Sequence, residues 1–490
     1  MVERSAARKA VLAILIVAGL ARIVLALLGG QHHYGDELRY YRGSFVAVVL
    51  FDGKTESLGD FGATAAHTGF TVLTSALAPF HWSVARLAGR TAQEPLALLW
   101  STPQIGAALL GLFSSLNLWL IYRVARRAGA DREESLWAML FAAGSLTLFV
   151  YSRHLLPYDA SLSFFLAALI IGLGRGTHAR AALSGAAAGF AFTVYNGHWE
   201  LLPLVAIILA WHRHHTGGLR LPLVLAWLGG TIAGMSLGYV PAVTLGHGTL
   251  FSGVDRFAGT IRDGEFSEGW SLPWEFLWNA ESWLGVAILG LALWGALRPQ
   301  ATGRARQWLL GAGVIYVSLV VMSVGLEKFV VYARTVRPMV PFICLAAGAG
   351  MAALLQQAPR WKLPALVFVT GAAALNFAPL FPQQYPMELD RKVHQLVGVP
   401  QDYLTFLASW DKRDHPAVTR PDLVLVNTYS LFGFVDHRDY PEGQVLLDVP
   451  HPLALRFYQY DGHSPAQRAL LRAHEPRMKL IRLSKPLPGS

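Results

Sequence analysis

Residues 9–43 read KAVLAILIVAGLARIVLALLGGQHHYGDELRYYRG, in which a long apolar run is followed at once by a segment rich in ionisable side chains. The run predicts a helix near residues 10–29, since about 20 mainly apolar residues cross the hydrocarbon core of a bilayer. Three cations (Arg4, Arg8 and Lys9) precede it, as in a signal peptide. The run is long for a signal sequence and has no clear small-x-small cleavage site, which favours an uncleaved first membrane helix.

The composition extends this interpretation to most of the chain. The 490 residues are 53% hydrophobic and 15% charged, with a mean hydropathy of +0.39, as expected of a protein that lies largely in lipid. The single cysteine, Cys344, falls in an apolar run, so the chain can form no disulfide with itself. Apolar runs predict eleven membrane helices, near residues 10–29, 96–122, 134–152, 158–174, 181–195, 199–212, 221–246, 280–297, 307–326, 336–356 and 363–381.

The net charge of +10 is explained by cations in the loops between membrane helices and does not indicate nucleic-acid binding. The cations fall in short loops between apolar runs and not on one soluble face. Because cytoplasmic loops carry an excess of Lys and Arg, this distribution predicts a cytoplasmic N-terminus. The outer loops are then residues 30–95, 247–279 and 327–335, together with the tail from residue 382.

Two of the outer segments have patterns of their own. In the 30–95 loop, TVLTSALAPFHWSVARLAG (residues 71–89) suits a helix that lies in the membrane interface better than a span. Residues 382–490 predict short strands at DLVLVNTY (422–429), QVLLDV (444–449) and MKLIRL (478–483), and a helix at SPAQRALLRAHEP (464–476). We therefore expect a membrane domain over residues 1–381 and a small α/β domain over 382–490 on the outer face.

The first candidate site residues are the adjacent acids Asp36 and Glu37, just past the outer end of the first helix. At the interface a carboxylate can remain ionised and still meet a lipid-borne substrate. The alternative is that both are solvated loop acids paired with Arg39 and Arg42.

A second cluster is YSRHLLPYDASLSFF (residues 151–165), in which Arg153 and His154 end one predicted helix and Tyr158 and Asp159 open the next. It lies at the same outer face. Part of this pattern is also what helix capping produces, because Pro and an acidic residue are favoured in a first helical turn.

Two further clusters fall on the outer side. GLEKFVVYARTVRPMVPF (residues 325–342) contains three cations and a Tyr, which predict a phosphate clamp, because Arg offers forked donors and Lys a point charge. Its cations are also suited to lipid headgroups. YNGHWE (residues 195–200) supplies polar groups for the same cavity. The candidate site residues in these two clusters are Glu327, Lys328, Tyr332, Arg334, Arg337, His198 and Glu200.

The histidines and acids of these clusters are also compatible with a metal site, since imidazole and carboxylate suit zinc or manganese. The residues would be His32, His33, His154, His198, Asp36 and Glu200. They show no tight ligand spacing such as HExxH, so no metal ligand is assigned and a divalent cation remains open.

These motifs resemble the GT-C superfamily of membrane glycosyltransferases, in particular the branch with the lipid A aminoarabinose transferase and the protein O-mannosyltransferases. DELRYYRG (residues 36–43) is similar to the Asp-Glu-x-Arg-Tyr signature of its first outer loop. YSRHLLPYDASLSFF is similar to its Ser-Arg and Asp element. RTVRPMVPF (residues 334–342) is similar to its Arg-Tyr-x-x-Pro-x-x-Pro region without the Tyr. TVYNGHWE (residues 193–200) departs from relatives that often carry a Lys there, a difference that bears on donor specificity.

The resemblance implies roles for these residues. Asp36 would be the catalytic base, and Glu37 and Asp159 would position the acceptor or the base. The donor phosphate would meet Arg39, Arg153, Lys328, Arg334 and Arg337. The substrate cavity would include Tyr40, His154, Tyr158, His198, Glu200, Glu327 and Tyr332.

The implied reaction is an inverting transfer of a sugar from a polyprenyl-phosphate donor to a hydroxyl of a lipid, cell-wall glycan or protein. It would take place at the outer face of a bacterial inner membrane, with membrane lipids and no nucleic acid as partners. A ligase with a diphosphate-linked glycan donor is the close alternative. A transporter, which usually shows repeat halves and polar residues at the midplane, and a scaffold protein fit the one-sided ionisable residues less well.

Overall fold

The computed structural model shows a polytopic α-helical membrane protein with a small sheet near its C-terminus. The structure describes residues 2–28, 37, 40–54, 67–89, 95–174, 176–215, 220–245, 266–267, 270–298, 303–326, 328–329, 333–378, 415–417, 420–427, 429–430, 433–434, 442–450, 469, 473 and 477–485. The helices are α1 (Val2–Leu27), α2 (Ser44–Asp52), α3 (Thr68–Leu87), α4 (Pro95–Ser101), α5 (Pro103–Arg127), α6 (Arg132–Gly144), α7 (Tyr158–Gly172), α8 (His178–Val194), α9 (Leu201–His215), α10 (Leu221–Leu245), α11 (Leu272–Leu297), α12 (Gly303–Val320), α13 (Ala333–Val336), α14 (Met339–Gln357) and α15 (Lys362–Phe377).

Each of the eleven predicted helices coincides with a helix of the structure, so the predicted fold class is confirmed. The predicted helix 96–122 is divided at Thr102, and Pro103 opens α5, as suits a residue without an N–H. Among the described helices, six are long and apolar enough to cross a membrane, and they are α1, α5, α10, α11, α12 and α14. Eleven spans therefore stay a prediction, as do the outward orientation and the 381/382 domain boundary.

Two short helices, α6 and α7, are joined by an irregular segment. Helix α6 has 13 residues and α7 has 15, so each is only about 20 Å long against a hydrocarbon core of about 30 Å. Charged residues, including Arg127 and Arg132, lie where α5 and α6 meet. Charged residues favour the aqueous end of a membrane helix. We therefore expect the missing length at the other end of α6, where residues 145–157 follow. The predicted helix 134–152 is too long at its C-terminal end, because α6 ends at Gly144. Residues 145–157 form an irregular segment with one 3-10 turn at Val150–Arg153.

Small residues join α8 closely to α10. A Cβ added at Gly185 would lie 2.0 Å from the Trp227 carbonyl oxygen, and one at Gly189 would lie 2.1 Å from that of Thr231. Close backbone approach through small residues is the usual way in which membrane helices associate. This contact fixes α8, whose end leads into the 3-10 turn Asn196–His198.

The outer-loop helix predicted around residues 71–89 is α3, which contains Pro79 and is not among the six spanning candidates. It packs against α2, α8 and α10. Its position in the membrane interface remains a prediction.

The C-terminal strands form an antiparallel sheet in the order β3-β4-β8-β7. Leu423, Val424 and Leu480 are fully buried in it. All three predicted C-terminal strands coincide with strands of this sheet, whereas most of the predicted helix 464–476 lies outside the described residues. The strands of the protein are β1 (Phe266–Ser267), β2 (Lys328–Phe329), β3 (His415–Ala417), β4 (Arg420–Asn427), β5 (Tyr429–Ser430), β6 (Gly433–Phe434), β7 (Gln444–Pro450) and β8 (Arg477–Arg482).

Candidate functional site

A buried carboxylate on α11 holds the start of the irregular 145–157 segment. Glu281 accepts hydrogen bonds from the Ser145 hydroxyl at 2.6 Å, the Thr147 N–H at 2.8 Å and the Leu146 N–H at 3.1 Å. These bonds replace the helical ones that are lost where α6 ends. A cavity of about 210 Å³ with mainly apolar walls adjoins this anchor.

Asp159 and Arg337 form a buried ion pair beside this segment. Arg337 Nη2 donates to Asp159 Oδ1 and, at 3.2 Å, to the Leu148 carbonyl oxygen. Asn117 Nδ2 donates to the same carboxylate oxygen at 3.1 Å. Asp159 lies in the first turn of α7, where no side-chain hydrogen bond caps the helix. Its carboxylate joins α7 to Asn117 of α5 and to Arg337, which lies just before α14.

Glu37 ties the segment after α1 to the same region. Its Oε1 lies 2.9 Å from His154 Nδ1, and its Oε2 accepts from the Leu155 N–H at 2.7 Å. Because an ionised carboxylate can only accept, this geometry assigns the ring hydrogen to Nδ1. Both side chains are buried, as is that of the neighbouring Arg153. Glu37 is therefore an interior anchor and not a solvated loop acid.

Aromatic and imidazole rings from separate segments meet in one cluster. Arg334 Nη1 donates to the Tyr158 hydroxyl at 3.2 Å. The Tyr158 ring lies 4.7 Å from the Tyr195 ring, which lies 4.8 Å from the His198 ring. Two more rings extend the cluster, because His67 lies 5.0 Å from Tyr195 and 4.6 Å from Tyr40. The structure thus brings together Tyr40, Tyr158, His198 and Arg334, as predicted from four separate stretches of sequence.

The turn between α8 and α9 holds two titratable groups that burial keeps uncharged. Burial lowers the pKa of His198 well below its ordinary value, and the positive charge of Arg337 lowers it further. Burial raises the pKa of Glu200 to about 8, against a smaller opposing effect of its own backbone N–H. Neither Glu200 oxygen has a hydrogen-bond partner on another described residue. Glu200 is thus not joined by a hydrogen bond to the other predicted site residues in the described part of the chain.

Some predicted site residues lie outside what the structure describes. They are Asp36, Arg39, Glu327 and Tyr332, and for Lys328 only the backbone is described. Of the histidines considered for a metal, His32 and His33 are also outside. In the part of the chain that is described, no group of three or more His, Cys, Asp or Glu residues could hold a metal ion.

Several residues of this region were missed by sequence reasoning. Asn117 and Glu281 are polar residues inside predicted membrane helices, a position that marks functional candidates and could have revealed them. Arg22 in α1 gives the same signal. It is fully buried and donates from Nε to the Ser114 hydroxyl at 2.9 Å. His67 carries no such signal, because it lies in a long polar loop.

The geometry defines a polar site embedded in a membrane protein, with carboxylates, guanidinium groups and tyrosines from several helix ends. No family model and no curated protein matches the chain. Among solved structures, the chain is similar to ArnT from Cupriavidus metallidurans bound to undecaprenyl phosphate, at 15% sequence identity and a TM-score of 0.46. The match covers 81% of this chain and 75% of that one. Because both identity and score are low, the residues of this chain itself carry the functional conclusion.

Proposed function

We propose that this protein is a membrane glycosyltransferase that moves a sugar from a polyprenyl-phosphate donor to an acceptor hydroxyl at the outer membrane face. The observation that carries the proposal is the buried Asp159–Arg337 pair, which lies beside the ring cluster of this membrane protein. Buried charges inside a membrane are unfavourable and usually mark function. A lipid-linked phosphate is the substrate that needs cations in such a position.

In the proposed reaction, Asp36 acts as the general base. Its carboxylate takes the proton of the acceptor hydroxyl while the hydroxyl oxygen attacks the anomeric carbon of the donor. The bond between that carbon and the phosphate oxygen breaks, the phosphate leaves with the electron pair, and the anomeric centre inverts. Glu37, one residue along the chain, is held by His154 and Leu155, which suits a positioning role for this acid and supports the assignment.

The leaving phosphate gains negative charge, which preorganised cations stabilise. Arg153, Arg334 and Arg337 are the described candidates, with Arg39 and Lys328 as further ones. Two nitrogens of Arg337, Nε and Nη1, have no hydrogen-bond partner in the described part of the protein. Forked guanidinium donors of this kind match phosphate oxygens.

The ring cluster is suited to the sugar. Tyr40, Tyr158 and His198 offer apolar ring faces with polar edges, and protonated Glu200 can donate a hydrogen bond. Neutral polar groups beside aromatic faces match a polyol better than a charged ligand. Asp159, already paired, would position the acceptor or the base.

The proposal names the acceptor only by its chemical class. It is a hydroxyl of a lipid, a cell-wall glycan or a protein, and residues 382–490 would bind this acceptor or cover the cavity. The proposed location is a bacterial inner membrane, with a cytoplasmic N-terminus and the C-terminal domain on the outer side.

The test is mass spectrometry of lipids that co-purify with Asp36→Ala, compared with wild type and with Asp52→Ala. Asp52 is an exposed acid at the end of α2 and serves as the matched control. A donor that cannot be consumed should accumulate, so we expect a polyprenyl-phosphate sugar on Asp36→Ala only. That lipid then serves as donor in a transfer assay, in which Asp36→Asn should be inactive and still folded.

Three results would overturn parts of the proposal. A diphosphate-linked oligosaccharide bound to Asp36→Ala would show that the donor is a diphosphate-linked glycan and not a polyprenyl-phosphate sugar. Wild-type turnover by Asp36→Asn would remove the base assignment, and bulk phospholipid alone in all three samples would contradict the glycosyltransferase itself.

A further inference from the structure

Arg22 is a buried arginine on a membrane-spanning helix, and the proposed function gives this residue no role. It lies in α1, about one and a half turns before the helix ends at Leu27. Its Nε donates to Ser114 Oγ at 2.9 Å and its Nη1 to the Ala18 carbonyl oxygen at 3.0 Å. Nη2 has no hydrogen-bond partner in the described part of the chain.

Arg22 belongs to the same network as Asp159 and Arg337. The Ser114 hydroxyl that accepts from Arg22 donates to the Leu148 carbonyl oxygen at 3.2 Å. Arg337 Nη2 donates to that same oxygen, also at 3.2 Å. The two guanidinium groups are therefore joined through one hydroxyl and one backbone carbonyl, and Asp159 is bound to the second of them.

Among the described residues of this network, the charges do not balance. Arg22 and Arg337 contribute two positive charges, and Asp159 contributes one negative charge. An arginine is not deprotonated in proteins under ordinary conditions, so the imbalance persists. Because unpaired buried charge is strongly unfavourable, an anion that enters this region is stabilised.

A purely structural role accounts for only part of the geometry. The bonds to Ser114 and Ala18 tie α1 to α5 and to its own backbone, and a neutral side chain such as Gln could form similar bonds. The guanidinium groups also lie over rings, Arg22 at 5.1 Å from the Phe149 ring centre and Arg337 at 5.8 Å from that of Tyr151. None of these contacts is a hydrogen bond from Arg22 Nη2 or from Arg337 Nε or Nη1, which are buried donors without a hydrogen-bond partner among the described residues. Three donors on two planar cations match the oxygens of a phosphate group.

We propose that Arg22 is a phosphate-binding residue, and that Arg22 and Arg337 together hold the phosphate of the lipid-linked donor. This inference rests on the proposed function, because the anion it assigns is the donor phosphate. It adds a cation from the first membrane helix to a site otherwise built from the outer loops.

The test is binding of polyprenyl phosphate and of inorganic phosphate to the purified full-length protein in lipid nanodiscs. The variants are Arg22→Gln and Arg22→Lys, with Arg123→Gln as control. Arg123 stacks over Trp119 at 4.9 Å on α5, away from the network. We expect at least tenfold weaker binding of polyprenyl phosphate by Arg22→Gln, an intermediate affinity for Arg22→Lys, and wild-type affinity for Arg123→Gln.

The shift in melting temperature that polyprenyl phosphate induces is the second measurement, because it reports only on folded protein. A structural role would lower the melting temperature of Arg22→Gln and leave the induced shift unchanged, which overturns the inference. If Arg22→Gln does not fold, equal affinity of Arg22→Lys and wild type overturns it.

The two proposals can fail separately. Wild-type binding of the lipid that does not depend on Arg22 overturns this inference alone. Arg22-dependent binding of inorganic phosphate, without binding of polyprenyl phosphate, supports an anion site and overturns the lipid donor.

Discussion

Glu37 and His154 are 117 positions apart in sequence, yet Glu37 Oε1 lies 2.9 Å from His154 Nδ1 in the interior of the protein. The second carboxylate oxygen of Glu37 accepts from the Leu155 N–H. One side chain therefore fixes the segment after α1 against the irregular segment before α7. Glu37 is thereby fixed in the interior, next in sequence to the proposed base, Asp36.

Replacing Glu37 by Ala leaves the Leu155 N–H and the His154 ring without their acceptor. A buried donor that loses its partner costs about 1–3 kcal/mol. We expect Glu37→Ala to unfold at a lower temperature than wild type, and Glu37→Gln, whose amide oxygen still accepts one bond, to lie between them. Tryptophan fluorescence during heating measures this, with Asp52→Ala as the exposed control. Equal midpoints for Glu37→Ala and wild type would contradict the anchoring role.

The Asp159–Arg337 pair allows stability and activity to be separated. Removal of one partner of a buried ion pair is destabilising by about 3–5 kcal/mol, whereas a neutral replacement of both is often tolerated. We expect Asp159→Asn and Arg337→Gln each to lower the melting temperature. The double variant should recover part of the loss and yet transfer no sugar. The measurement is a double-mutant cycle of melting temperature together with a transfer assay. A stable and active double variant would show that the pair is structural only.

Glu200 predicts a specific pH dependence of stability. Its ordinary pKa is 4.5 and burial raises it to about 8 in the folded protein. Between these values the unfolded chain has lost the proton and the folded chain keeps it, so stability falls as pH rises. The contribution is fully present below about pH 4.5 and is lost above about pH 8.

Glu200→Gln keeps the shape of the side chain and removes the titration. We expect wild type and Glu200→Gln to melt at similar temperatures near pH 5, and the variant to melt at the higher temperature near pH 8. Melting curves of both proteins across this range measure the difference. A difference that stays constant with pH would refute the raised pKa.

The helices were predictable from sequence because hydropathy acts locally. Each apolar run between charged loops became a helix, and α7 begins at Tyr158 as the run at 158–174 predicts. The end of α6 was not predictable in this way. Residues 145–149 are as apolar as the helix before them, and only the hydrogen bonds that they donate to Glu281, more than 130 positions away, show why the helix stops at Gly144.

The candidate site was predictable in its residue types and only partly in its contacts. The loops that contain Tyr158, His198 and Arg334 were expected to face one cavity, and their side chains do meet. Partners inside the helices were missed, because a single Asn117 in an apolar run does not indicate which carboxylate it will bind. Such pairings depend on how helices that are distant in sequence pack together, and no local pattern in a single sequence indicates that packing.

Ser282, next to Glu281, has a backbone conformation that disfavours side chains. Its φ is 49° and its ψ is −136°, and it is the one non-glycine residue with positive φ in the described part of the chain. The two dihedrals kink α11 beside the carboxylate that anchors residues 145–147. Conformations of this kind cost about 1–3 kcal/mol in residues with a Cβ, and glycine adopts them freely.

Ser282→Gly should therefore raise the melting temperature, whereas Ser282→Ala, which keeps the Cβ, should not. The hydroxyl is absent from both variants, so the comparison isolates the backbone effect. Because the kink itself persists in Ser282→Gly, the Glu281 bonds and sugar transfer should be retained. A melting temperature that is equal in the two variants would show that the kink is not strained. A stabilised but inactive Ser282→Gly would show instead that the strain holds the 145–147 segment in its working position.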